Sequence, residues 1–322
     1  MNVSVIGSGS FGTALAQVIS GNADEIYLFG RDKSIIDSIN QKNINNVYHP
    51  LVKLNGNIKA FKMSESQKID DSDLVIFCVP SGSTRIVAKD LKESLHDKII
   101  ISTAKGIEYP SSKYMSQVIG EETNNDTVFS ISGPTFADEL IKNVLSGITL
   151  GIDKKNYENR VIGLFKSPTN LLDYSDDVQG VELCSILKNI YATAMGVFDT
   201  YFQDPNEHHA LLNLCFKEMK YILKKSGHHH LSDHFCAYGD LNLTANTDKS
   251  RNRTLGLMLG KSIKLDPKST VTLESIKSVK AVKKKTNKLK SETPIVNFVE
   301  SVFDEKVRIR IAINQLIQEV NR

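Results

Sequence analysis

Asn2-Val-Ser-Val-Ile-Gly-Ser-Gly-Ser-Phe-Gly-Thr-Ala-Leu-Ala16 is the stretch whose reading decides the fold. Val3 to Ile6 is a short β-branched run of the kind that forms a buried strand. It ends in Gly7-x-Gly9-x-x-Gly12, and an apolar helical pattern of Ala14, Leu15, Val18 and Ile19 follows at once. Gly7 permits the tight turn out of the strand, Gly9 lets backbone approach a pyrophosphate, and Gly12 lets helix and strand pack closely. The free N–H groups at the helix start face the anion. A plain glycine turn is the alternative reading. Placement between a strand and a helix favours a dinucleotide site.

Outward from this loop, residues 1 to about 175 alternate β-branched runs with helical patterns, which predicts a parallel sheet covered by helices. Strands are expected at Val3–Ile6, Glu25–Phe29, Leu74–Val79, Lys98–Thr103, Thr127–Ile131, Ile148–Ile152 and Leu171–Tyr174, with helices near 11–20, 33–41, 84–95, 111–119 and 157–166. From about 178 the apolar spacing turns helical, through Val181, Cys184, Leu187 and Tyr191 and then Leu211, Leu214, Met219 and Ile222. The prediction is an α/β dinucleotide-binding domain over 1–177, followed by an all-α domain over 178–322. Lys277 to Lys290 carries seven lysines on a helical pattern and reads as a solvated face.

Composition narrows the function classes. Hydrophobic residues at 40% and charged residues at 24% are ordinary globular values, and a net charge of +3 argues for neither nucleic acid nor membrane. Cys78, Cys184, Cys215 and Cys236 lie far apart in no paired spacing and read as reduced thiols. The chain opens directly into a strand, leaving no room for a signal peptide. The longest apolar run, Leu183 to Val197, contains Lys188 and Asn189 and is too short to span a bilayer. A soluble, cytoplasmic protein without membrane insertion is expected.

The end of the second strand bears on the choice of dinucleotide. NAD-selective folds place Asp or Glu there to accept from the ribose hydroxyls. This strand ends Phe29-Gly30-Arg31-Asp32. A guanidinium suits a 2′-phosphate, so NADP or dual use is expected, with Asp32 keeping NAD open.

Four further stretches carry chemistry. Cys78-Val79-Pro80-Ser81 and Thr103-Ala104-Lys105-Gly106 end strands at the carboxyl edge, where such folds bind ligands. Ser132-Gly133-Pro134-Thr135-Phe136-Ala137 is another strand–turn–helix, in which Thr135 reads as an N-cap, a ligand contact, or both. Lys188, in Leu187-Lys188-Asn189-Ile190-Tyr191, falls inside an apolar helix. Burying an unpaired ammonium costs several kcal/mol or drives its pKa down, so the lysine is either functional or snorkels to solvent. Tyr238-Gly239-Asp240-Leu241-Asn242-Leu243-Thr244 supplies a carboxylate, and Ser250-Arg251-Asn252-Arg253 supplies anion-binding groups. A lysine paired with an aspartate beside arginines fits a phosphorylated carbonyl substrate.

Gly7–Leu15, Thr103–Glu108, Ser132–Leu140, Lys188–Asn189, Gly239–Thr244 and Ser250–Gly256, in this order, resemble the soluble NAD(P)-dependent glycerol-3-phosphate dehydrogenase family over residues 1 to about 300. The resemblance implies a Rossmann domain joined to a helical domain, an active site between them, and a homodimer. It implies reduction of dihydroxyacetone phosphate to sn-glycerol 3-phosphate, a phospholipid precursor. Lys188 would be the acid/base, Asp240 its orienting partner, and Lys105 the group that polarises the carbonyl. Asn189 and Thr244 would bond the substrate oxygens, with Ser250, Arg251 and Asn252 on the phosphate and Gly133 and Thr135 also contacting substrate. Ser10, Phe11, Arg31, Lys105, Ala137, Arg251 and Glu274 would join the Gly7-Gly9-Gly12 loop in touching the dinucleotide.

Several positions depart from the family pattern. Leu273-Glu274-Ser275 keeps the carboxylate of the usual Val-Glu-Gly and loses the glycine. Asp204-Pro205-Asn206-Glu207-His208-His209 keeps the asparagine of Gly-x-Asn-x-[Lys/Arg], with His208 in the basic place. Leu214 occupies a position that is arginine in bacterial members, Tyr238 replaces a leucine-like residue, and His49 stands in a Tyr-His-Pro where Tyr-Leu-Pro is common. Two rival readings remain: another two-domain reductase, of 3-hydroxyacyl or 6-phosphogluconate type, and a non-catalytic nucleotide-binding sensor. His208, His209, His228–His230 and His234 match no familiar metal spacing, and no metal is expected.

Overall fold

The computed structural model describes residues 1–263, 265–266, 269–286, 292–304 and 307–321. It forms two compact units, one built of Met1–Ala104 and Met115–Glu182 and the other of Lys105–Tyr114 and Leu183–Arg322. The division falls inside the helix Val178–Phe198, whereas the sequence reading cuts the chain once, before residue 178. Segment 105–114, with its Ile107–Tyr114 bridge, groups with the helical unit although it follows a strand directly.

The first unit is an eight-stranded sheet of β1 (Val3–Ile6), β2 (Ile26–Gly30), β3 (Ile58–Lys62), β4 (Leu74–Phe77), β5 (Ile99–Ser102), β6 (Val128–Ser132), β7 (Ser146–Gly151) and β8 (Asn170–Ser175). The order is β3-β2-β1-β4-β5-β6-β7-β8. β1, β2 and β4 are buried along their whole length, which is why they read as unbroken apolar runs. Val3 stands beside Ile26 on one side and Leu74 on the other. The chain thus leaves β1 in one direction and returns to its other side, a topological switch at the carboxyl ends of β1 and β4. Two apolar clusters, one on each face, seat the helices.

Three expectations need correcting. β3 was not among the predicted strands; Ile58-Lys-Ala-Phe-Lys62 is an edge strand with alternating burial, a weaker signal than a continuous run. The sheet is parallel only through β6, for β7 runs antiparallel to β6 and parallel to β8. The connection 133–145 between them holds one short helix, Ala137–Leu140. The helix expected at 84–95 breaks at Leu91 into Ser81–Asp90 and Lys92–Leu95.

The second unit is helical. Val178–Phe198 is long and apolar enough to cross a membrane by length and composition, which corrects the shorter run read from sequence. Yet 94% of its apolar window is buried within the protein, as in a core helix. Phe198 stacks on Phe298 with ring centroids 5.0 Å apart. The helix Arg251–Gly260 crosses Val178–Phe198 at backbone contact: a Cβ on Gly256 would lie 2.1 Å from the Thr193 carbonyl oxygen, and one on Gly196 2.1 Å from that of Arg253. The lysine-rich helix Thr270–Lys285 is only partly a solvated face. Lys277, Lys280, Lys284 and Lys285 are exposed, but Lys283 pairs with Glu300, Lys284 also donates to the Pro110 carbonyl at 2.9 Å, and Lys285 lies 4.2 Å over the Tyr114 ring. Lys288 and Lys290 lie outside the described residues.

Gly256→Ala is expected to lower stability by about 1–3 kcal/mol, because both sides of the crossing are backbone and cannot step aside. Urea denaturation checks this; an unchanged midpoint would refute the close crossing.

Candidate active site

In the first unit the glycine loop separates two demands on glycine. Gly7 has φ +121°, and a Cβ there would lie 2.5 Å from the Cys78 carbonyl oxygen. A Cβ on Gly12 would lie 1.9 Å from the Gly7 carbonyl oxygen. Both glycines are required by the packing of the fold. A Cβ on Gly9 would meet no protein atom within 4 Å, so the fold leaves that space open. Gly9 is also the N-cap of the helix Ser10–Ile19 and provides no side-chain cap, leaving first-turn N–H groups for an anion. This arrangement fits a dinucleotide pyrophosphate. His49 is buried beside it, its Nε2 2.9 Å from the Ser10 carbonyl oxygen and 3.2 Å from Ser10 Oγ. Phe11 packs against the apolar cluster, and Ala137 opens its short helix.

Arg31 is exposed just beyond β2. Asp32, the residue that kept NAD open, is the N-cap of Lys33–Lys42 and accepts the Ser34 N–H at 2.8 Å. That hydrogen bond holds its carboxyl below the usual range. Thr135 is not an N-cap: Phe136 holds that place, and the Thr135 hydroxyl donates to the Gly133 carbonyl at 3.0 Å. Gly133 has φ +138° and lies against the Gly147 carbonyl, so backbone geometry alone demands a glycine.

The second unit brings Lys105, Lys188, Asp240 and Thr244 together. Lys188 Nζ donates to Asp240 Oδ1 at 2.7 Å and to Thr244 Oγ1 at 3.0 Å, all three groups being buried. The other Asp240 oxygen lies 3.8 Å from Lys105 Nζ. Asn189 Nδ2 donates to the Lys105 carbonyl at 3.3 Å. The Thr244 hydroxyl in turn donates to the Asp240 carbonyl at 2.6 Å, so it steadies the lysine–aspartate pair. Asp240 opens the helix Asp240–Ala245 after a π-helical turn over Phe235–Gly239, and a carboxylate is favoured at a helix start. Burial pushes Lys188 down to about 7, the Asp240 carboxylate opposes that shift, and Lys105 lowers it further. The snorkelling alternative is excluded, since Lys188 is 4% exposed and fully engaged.

The two arginines of the Ser250–Arg253 segment separate. Arg253 is held by Asp199 at 2.8 Å and by Asp248. Arg251 is exposed at the start of its helix, with no ion-pair partner among the described residues. Ser250 is the N-cap, its Oγ accepting the Arg253 N–H at 3.2 Å. Asn252, Asn189 and Glu274 line one small pocket, with Asn252 accepting from Ser275 at 2.9 Å.

Two buried glutamates escaped the sequence reading. Glu182 accepts the Ser116 N–H at 2.9 Å at the start of Met115–Thr123. Glu218 accepts the N–H groups of Ile295 at 2.7 Å and Val296 at 3.0 Å at the start of Pro294–Val302, and the Tyr191 hydroxyl at 3.3 Å. Burial pushes Glu218 up to about 7. Its place on the apolar stripe of Pro205–Lys225, between Cys215 and Met219, was the available signal. The clustered histidines form a 3₁₀ turn over His229–Asp233, and no metal-holding group of His, Cys, Asp and Glu occurs among the described residues.

Compared with known proteins, residues 2–158 match the N-terminal family model of NAD-dependent glycerol-3-phosphate dehydrogenase and residues 177–314 match the C-terminal one. The chain belongs to the NAD-dependent glycerol-3-phosphate dehydrogenase family. It is 48% identical to a glycerol-3-phosphate dehydrogenase (NAD(P)+) of Methanothermobacter thermautotrophicus, across 100% of this chain and 99% of that one. A Clostridium botulinum enzyme of the same name is 32% identical, covering 98% and 96%. The crystal structure of glycerol-3-phosphate dehydrogenase from Coxiella burnetii superposes with a TM-score of 0.86 at 25% identity, covering 98% of each chain. Family membership and the convergence of Lys105, Lys188 and Asp240 leave the two rival readings without support.

Asp240→Asn removes the neighbouring carboxylate that holds Lys188 up, so the amine is expected to titrate below its present value of about 7. The pH dependence of the Lys188 ¹³Cε shift reports this directly. An unmoved or higher midpoint would contradict the pairing.

Proposed function

We propose that this chain is an NAD(P)-dependent oxidoreductase that interconverts dihydroxyacetone phosphate and sn-glycerol 3-phosphate, a glycerophospholipid precursor. The observation that carries the reading is the buried Lys188–Asp240 pair with Lys105 beside it, in a chain of this family. The first unit serves as the dinucleotide-binding domain and the second as the substrate-binding, catalytic one. Family membership supports a homodimer working as a soluble cytoplasmic enzyme.

Bound NAD(P)H supplies a hydride to C2 of the substrate. Lys188 Nζ gives its proton to the C2 oxygen as negative charge builds there, and takes it back in the reverse direction. An amine titrating near 7 suits both directions at neutral pH. Asp240 fixes the ammonium, and Lys105 adds a second cation where the oxyanion develops. Asn189, Ser250, Arg251 and Asn252 hold the substrate, the exposed Arg251 guanidinium being the phosphate clamp. Binding energy from that remote phosphate orients the reacting carbon. Arg31 reads the 2′-phosphate of NADP, a reading supported by the commitment of Asp32 to a helix cap.

Loss of reduced-nicotinamide absorbance with dihydroxyacetone phosphate, run with NADPH and NADH in parallel, tests the reaction. Oxidation is expected with both and a higher kcat/KM with NADPH; silence with both overturns the reading. Lys188→Ala should cut kcat by about 10²–10⁴ and leave cofactor affinity intact. In the wild type, kcat for reduction should fall as pH rises through about 7 while that for oxidation rises, because reduction needs the ammonium and oxidation the free amine. Arg31→Ala should weaken NADPH far more than NADH, equal losses removing Arg31 from the 2′-phosphate site. Arg251→Ala should raise the substrate KM, and an unchanged KM would remove it from the phosphate site.

A further inference from the structure

The two ring nitrogens of His208 have unambiguous neighbours. Nδ1 is 2.7 Å from Asp199 Oδ1, a carboxylate oxygen that can only accept. Nε2 is 2.5 Å from Asn246 Oδ1. The orientation of that amide is fixed by its other end, since Asn246 Nδ2 donates to the Asn242 carbonyl at 2.8 Å and to Asn242 Oδ1 at 2.6 Å. Turning the amide over would set its oxygen against the Asn242 carbonyl. Both ring nitrogens therefore face acceptors, and only a doubly protonated ring donates to both. Either neutral tautomer leaves one nitrogen lone pair against an oxygen.

The charges around the ring agree. Asp199 accepts from His208 with one oxygen and from Arg253 Nη2 with the other at 2.8 Å, and Arg253 also reaches Asp248. With His208 charged, these two cations and two anions balance; with it neutral, the group carries one net negative charge. Two further titratable residues adjoin it on its own helix: His209, whose ring meets it edge to face, and Glu207, which is bound to the Asp204 N–H. The cluster ties the end of Val178–Phe198 to residues 246–248 and to Arg253, on either side of Ser250 and Arg251. His208 side-chain exposure is 19% and that of Asp199 is 13%, whereas Asn246 and Asp248 are exposed, so the His208–Asp199 contact is the shielded part of the cluster.

We propose that His208 is a positioning residue for the phosphate end of the substrate. As an imidazolium it clamps residues 246–253, and loss of its proton opens the clamp and weakens substrate binding as pH rises. A lysine or arginine there would hold the segment at all physiological pH, whereas this chain has made its hold conditional. The inference rests on the reading of Arg251 and its neighbours as the phosphate site. The balance of the cluster gives the sign: the charged form favours a bound phosphate, and the neutral form leaves a net anion beside it.

The test is the affinity for glycerol 3-phosphate, measured by calorimetry between about pH 5.5 and 9 for the wild type and for His208→Lys. Ionisation of the ligand phosphate is common to both proteins and cancels in the ratio of dissociation constants. That ratio should be level at the acidic end and rise about fivefold toward the alkaline end, the worth of one hydrogen bond. A ratio that stays flat with pH, or absence of binding at every pH, overturns the proposal. A second readout needs no variant: the ¹⁵N shifts of His208 in the wild-type protein should show both nitrogens protonated where binding is tight. A singly protonated ring under those conditions also overturns it. Turnover of dihydroxyacetone phosphate decides the reaction separately. Turnover with a flat ratio sinks only the histidine clamp, and a pH-dependent ratio without turnover sinks only the reaction.

Discussion

The second unit is organised around a charge that water would otherwise keep. Taking Lys188 and Asp240 out of solvent costs several kcal/mol per ion, even after relaxation. The pair is tolerable because further polar partners surround it. Thr244 accepts from the ammonium, Lys105 faces the second carboxylate oxygen, and the start of the helix Asp240–Ala245 favours the negative charge. Desolvation still exceeds the attraction of Asp240, leaving the lysine titrating near neutrality instead of three to four units higher. A solvent-exposed lysine at the same distance from an aspartate would remain charged and give up no proton at neutral pH. Burial is therefore part of the chemistry, and the surrounding packing exists to maintain it.

One helix carries most of that packing. Along Val178–Phe198, Lys188 reaches Asp240, Asn189 reaches the Lys105 carbonyl, and Tyr191 reaches Glu218 one turn later. Thr193 and Gly196 meet the helix Arg251–Gly260 at backbone distance, and Asp199, just past the end, holds Arg253 and His208. The helix Arg251–Gly260 is thus set against the helix bearing the lysine by two glycines and one carboxylate. Each tie is short-range and directional, so a shift of one residue anywhere along the helix would misplace all of them together.

What sequence made legible follows from the range of the signal. The Gly7–Gly12 loop, seven of the eight strands and the lysine in an apolar helix are local patterns, and they were readable. β3 was passed over because an edge strand buries one face only, and the reversal at β7 because direction is set by a connection and not by composition. Glu182 and Glu218 were missed because each serves a helix start distant in the chain, at separations of 66 and 77 residues. The same limit hid the contacts of the lysine-rich helix: Lys284 and Lys285 are exposed, as a solvated face predicts, yet both also reach segment 105–114.

The glycines and arginines teach how far a motif match carries into a role. Gly7, Gly12 and Gly133 satisfy the family pattern, yet each is demanded by a neighbouring backbone oxygen whether or not any ligand binds. Gly9 alone among them leaves its space open, so the protein's own packing does not demand a glycine there. Arg251 and Arg253 divide in the same way, being two residues apart and equal in charge. Arg253 spends its guanidinium on Asp199 and Asp248, which takes it out of reach of an anion and makes it the brace of the segment. Arg251 is left exposed at the helix start, where an open guanidinium matches the geometry of a phosphate.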